Sequence, residues 1–113
     1  MMDTQEQRML LELAARAAGY KVYGNGKLFR IWKDSNIEWV DWNPLTDDGD
    51  ALRLAEKCGL TVCMDGLGTV SACDERQRKE VFCTQSIKEC GSRIEATRRA
   101  IVRAAAELGR NMK

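Results

Sequence analysis

Histidine is absent from this chain of 113 residues. Its absence removes the commonest general base near neutral pH and the commonest zinc ligand besides cysteine, and with them most hydrolase triads. No apolar run approaches the ~20 residues that a membrane-spanning helix needs, and Asp3, Glu6 and Arg8 stand where a signal peptide would begin. A cytoplasmic protein, working inside the cell that makes it and without a membrane partner, is expected. Charge of one sign is lacking too: 18 basic residues face 17 acidic ones, for a net +1. That balance creates no field strong enough to collect nucleic acid or an anionic surface, so any electrostatic binding must be local. The five cysteines, Cys58, Cys63, Cys73, Cys83 and Cys90, include no C-x-x-C pair. An odd count at such spacings argues against a disulfide framework and a standard zinc motif, and predicts reduced, mostly buried thiols.

Proline is nearly absent as well, and the single one marks the most informative stretch. In Trp39-Val40-Asp41-Trp42-Asn43-Pro44-Leu45-Thr46-Asp47-Asp48-Gly49-Asp50 an aromatic strand, a proline turn and an acidic helix start follow each other without a break. Pro44 presets its own φ and biases Asn43 away from helix, so the extended run ends at Trp42 or Asn43. With 44% hydrophobic residues the chain can build one modest core, and residues 1–113 are expected to form a single domain.

Around that corner the chain divides into recognisable elements. Asp3 to Ala18 reads as a helix: Asp3 and Thr4 precede Glu6 and Gln7 at capping-box spacing, and Gly19 closes the end. Met9, Leu10, Leu13, Ala14 and Ala17 supply its inward stripe. Strands are expected at about 20–23, 27–33 and 37–42, parted by Gly24-Asn25-Gly26 and Asp34-Ser35-Asn36. A tight second turn would set Trp32 opposite Ile37 and Arg30 opposite Trp39, with Arg30 stacked beside an indole. Thr46 to Lys57 forms the second helix, with Asp47, Asp48 and Asp50 at its positive end, Leu52, Ala55 and Cys58 facing inward and Gly59 as the stop. Leu60–Met64 and Leu67–Cys73 read as a hairpin about Asp65-Gly66. A charged connector, Asp74 to Glu80, leads to a short strand at 81–84 and a turn through Lys88-Glu89. The last helix starts at Ser92, whose capping-box partner is Glu95, and runs to about Leu108, with Ile94, Ile101, Ala104, Ala105 and Leu108 buried and Gly109 as its stop.

This order predicts an α+β fold in which three helices pack on a largely antiparallel sheet, on both faces, as a three-layer sandwich. The block Trp42–Ala55, followed far downstream by Glu95–Glu107, resembles small proteins encoded by tailed bacteriophages and prophages, the phage α-β-α sandwich domain family. The resemblance spans roughly a quarter of the chain and implies a phage accessory protein acting in the host cytoplasm. It brings no catalytic residue with it.

Candidate sites can be weighed against plainer explanations. Asp47, Asp48 and Asp50 offer oxygen ligands to a hard cation, yet carboxylates in a first helical turn are explained by the dipole, and the spaced acidic loop of a calcium site is missing. Cys63, Cys73 and Cys83 recur every ten residues, which is also strand rhythm, and a thiolate here has no histidine to activate it. Gly24-Asn25-Gly26 and Gly66-Leu67-Gly68 lack the strand–loop–helix order of phosphate cradles and read as turns. No metal, cofactor or enzymatic activity is therefore expected. Two surfaces remain. Trp32, Trp39 and Trp42, with Arg30, form an aromatic hairpin suited to a protein partner if helices cover only one of its faces. Arg98, Arg99, Arg103 and Arg110 form a basic ridge suited to phosphates, although Glu95 to Arg99 and Arg103 to Glu107 at i,i+4 would turn it into a salt-bridged face. The leading expectation is a non-enzymatic phage or prophage protein that binds a host or phage protein and so modulates host machinery or defence. A nucleic-acid or nucleotide-binding module is the alternative. A homodimer through an open strand edge or the alanine-rich last helix is a further expectation.

Overall fold

A computed structural model of the chain describes residues 4–25, 28–33, 38–64, 68–74 and 82–111. The elements are α1 (Thr4–Ala18), β1 (Val22–Asn25), β2 (Leu28–Lys33), β3 (Glu38–Asp41), α2 (Asp48–Cys58), β4 (Leu60–Met64), β5 (Thr69–Asp74), β6 (Phe82–Ser86), the single turn α3 (Ile87–Cys90) and α4 (Arg93–Arg110). The fold is α+β, with every described strand pair antiparallel. The strands do not share one sheet: β1-β2-β3 and β4-β5-β6 form two separate three-stranded meanders. A three-layer order does not emerge, because α1 packs directly along α4 instead of lying across a common sheet.

Helix α4 is the hub. Ala96, Ala100 and Ala104, at i, i+4 and i+8, share one core cluster with Val70 and Ala72 of β5 and with Cys90. Small side chains there let the helix lie close on the second sheet. Another side of α4, with Ile101, Val102, Ala105 and Ala106, joins Leu10, Leu11, Ala14 and Ala15 of α1 and Ala51, Leu54, Ala55 and Cys58 of α2. The expected stop at Gly109 is wrong. The helix continues through Gly109 to Arg110, and a Cβ on Gly109 would collide with the backbone oxygen of Leu13. Glycine is needed at that position for contact between the helices, not for termination.

Helix ends follow sequence logic elsewhere. Gly19 takes a φ of 80°, with Gly19 N donating to Arg16 O and Tyr20 N to Ala15 O, a Schellman closure. Asp47 and Ser92 cap α2 and α4 by accepting from Asp50 N and Glu95 N. Three apolar residues expected inside are on the surface: Met9, Ile94 and Leu52, the last 71% exposed. Ala51, Leu54, Ala55 and Cys58 set the buried stripe of α2 without Leu52. Among the anticipated turns, Gly26, Asp34-Ser35-Asn36 and Asp65-Gly66, together with Asp3 and the connector from Glu75, lie outside the described residues.

Candidate functional site

The aromatic hairpin keeps its faces but shifts its register. Trp32 pairs with Trp39, Arg30 with Asp41 and Lys33 with Glu38, two residues beyond the expected pairing. Four residues separate Lys33 from Glu38, where a tight turn would have two. A shift of two preserves side-chain parity. Ile31 and Val40 therefore still face the core, and Trp32 and Trp39 stand on the other side. Their indoles meet edge to face, with centroids 5.4 Å apart, and Trp39 is 41% exposed. Arg30 does not stack on an indole; its Nε donates to Asp41 Oδ1 at 3.0 Å. Trp42 lies apart from this surface. At 3% exposure it belongs to the core, edge to face with Tyr20 at 5.7 Å.

The corner behind Trp42 accounts for the acidic cluster. Asn43 Oδ1 accepts from Leu45 N, and Asn43 O accepts from Thr46 N and Asp47 N, around a buried Pro44. Asp50 Oδ2 accepts from Asn43 N at 3.0 Å, while Asp50 Oδ1 accepts from Arg53 at 2.9 Å. Asp48 accepts from Arg98 at 2.6 Å, and Arg98 Nε also donates to Leu45 O at 2.9 Å. Each of the three carboxylates thus has a structural task. No group of three or more His, Cys, Asp or Glu residues arranged for a metal occurs among the described residues.

That use of Arg98 divides the basic ridge. Its side chain is only 15% exposed and ties α4 to the start of α2. Arg103 pairs with Glu6 of α1 at 3.9 Å, and Arg110 with Glu107 at 2.6 Å, three residues apart. Arg99 has no ion pair among the described residues. Neither expected i,i+4 pair forms: Glu107 serves Arg110 in place of Arg103. The thiols also scatter. Cys58 and Cys90 are buried in different clusters, and Cys63 is exposed. Cys73 pairs with Thr61 and Cys83 with Ala72, one residue out of step with each other.

Sequence reasoning missed a cleft of about 560 Å³ between the end of α1, the first sheet and α2. Such a volume suits a small ligand. Tyr20 and Trp42 line it with Trp32, and Lys21, Arg53 and Lys57 stand about it. Tyr20 arrives through the Schellman closure of α1. Asp50, Arg53 and Lys57 share one face of α2 because i, i+3 and i+7 fall together on a helix. That spacing was the available signal, but nothing local joins it to Tyr20, thirty residues upstream. Burial is the main influence on the Tyr20 phenol and raises its pKa above 10.0, with Arg53 opposing and Cys58, Asp50 and Glu56 adding to it.

Fold and site together define a small α+β protein with an outward indole pair beside an open, cation-rimmed cleft. Comparison with protein-family models, curated proteins and solved structures gives no match for the chain. No helix among the described residues is long and apolar enough to cross a membrane.

Proposed function

We propose that this is a small non-enzymatic binding protein of phage or prophage origin, which docks a host or phage protein on the Trp32–Trp39 face of its first sheet. One observation carries the reading: the indole pair stands on a sheet face opposite the core contacts of Ile31 and Val40, and among the described residues no helix packs closely along that sheet. Aromatic side chains with an arginine at their margin are the composition of binding hot spots, and Arg30 occupies that margin. Kinship with the phage α-β-α sandwich family, its three-layer order included, belongs to the same proposal. It is supported by the meeting of the two blocks of resemblance, which Arg98 joins through Leu45 and Asp48. Modulation of host machinery or defence would follow from that kinship.

A nucleic-acid module on α4 has less support, because Arg98, Arg103 and Arg110 already serve intramolecular pairs. Crosslinked pull-downs from host and phage lysates distinguish the two. The expected result is one stoichiometric protein captured by the wild type, lost with Trp39→Ala and retained with Arg99→Ala. Equal capture by the Trp39→Ala variant, or capture that nuclease abolishes, would contradict the docking face.

A further inference from the structure

The cleft beneath the first sheet has features that the docking face does not use. Tyr20 presents ring surface, backed edge to face by the buried Trp42, with Trp32 at the margin. The Tyr20 hydroxyl has no hydrogen bond among the described residues. The carboxylates lining the cleft are engaged: Asp41 accepts from Arg30, and Asp50 from Asn43 N and Arg53. Glu56, which acts on the phenol from α2, is not among the lining residues. Lys21 and Lys57 line the cleft without an ion pair among the described residues.

Among the described residues, two ammonium groups without carboxylate partners, a hydroxyl without a hydrogen bond and the Tyr20 ring meet in one concavity, which selects for a ligand that is both flat and negatively charged. Apolar area supplies affinity, and the few polar groups fix orientation. We propose that this cleft binds a small planar anion whose ring lies against Tyr20 and whose charge meets Lys21 and Lys57. Nucleoside monophosphates and aromatic carboxylates share that chemistry. The site is separate from the Trp39 side of the hairpin, and its occupancy does not depend on the protein-docking reading.

Amide chemical shifts of the full chain, titrated with adenosine monophosphate, 1-naphthoate, adenosine and inorganic phosphate, test this. At least one of the two planar anions should shift the amides of Lys21, Asp41 and Lys57 saturably, with a Kd at least ~tenfold below that of adenosine or phosphate. Response to the nucleotide alone or the carboxylate alone identifies the anionic group; response to both supports the shared chemistry. Lys21→Glu combined with Lys57→Glu should raise Kd at least ~tenfold, and Tyr20→Phe, which keeps the ring, about threefold. Both variants are checked for an unchanged spectrum away from the cleft. Trp39→Ala should leave the titration unaltered, so failure of the docking face and failure of the cleft are distinguishable. No shift with either anion, adenosine binding as tightly as its monophosphate, or a double charge reversal without effect would each overturn the proposal.

Discussion

The two sheets have the same strand count and the same meander connection, but they are held in different ways. The second lies against α4, whose alanines at 96, 100 and 104 pack on Val70 and Ala72. Among the described residues the first packs closely along no helix and joins the core through a few side chains, chiefly Ile31 and Val40 and, just past its last strand, Trp42. One sheet is scaffold and the other is a pinned platform. The pairing suggests a division of work in which α1, α4 and the second sheet supply stability, while the first sheet presents surface. Its buried face provides attachment, leaving its Trp32–Trp39 face for the proposed docking.

The attachment of the first sheet depends most on Trp42. Trp42→Ala should cost about 4 kcal/mol, since truncating a buried tryptophan leaves a cavity beside Tyr20, and urea denaturation would measure it. On the scaffold, Gly109→Ala should cost about 3 kcal/mol and lower Tm by roughly 15 °C, because a methyl group cannot share space with the Leu13 carbonyl. Between the two, Arg98→Ala should cost about 1.5 kcal/mol by leaving the part-buried Leu45 carbonyl without its donor. On the platform surface, Trp39→Ala should cost less, about 1 kcal/mol, because the indole is 41% exposed, while removing partner binding.

The smallest effect depends on pH and sharpens the account of the cleft. Between the ordinary tyrosine value of 10.0 and the raised value of folded Tyr20, the unfolded chain releases a proton that the native protein keeps. Stability contributed by the neutral phenol is present below pH 10 and falls as pH rises through the folded value. Tyr20→Phe should flatten that alkaline loss in denaturation series from pH 8 to 11.

What the sequence made legible was local. Ser92, Gly19 and Gly59 announce helix boundaries because capping chemistry lies within a few residues, whereas α2 starts at Asp48 behind its Asp47 cap, two residues past the expected Thr46. Gly109 carries the same letter as those stops and a different task, which only the approach of Leu13 from the other end of the chain reveals. The division into two sheets was not readable, because α2 separates β3 from β4 and strand pairing across such a gap has no local mark. Trp42 is close in sequence to Trp39 and shares its residue type, but it follows the last strand residue, Asp41, and turns into the core. Leu52 shows the limit of periodicity on a short helix: one position out of phase moves an apolar side chain from core to solvent. The cleft escaped notice because its walls come from three elements.

Native-state hydrogen exchange across the two sheets is the most direct measurement of this division. Amides of β5 and α4 should exchange only through global unfolding, while those of β2 and β3 should open at a lower free energy, by at least about 1 kcal/mol. Exchange of both sheets at one common free energy would contradict it.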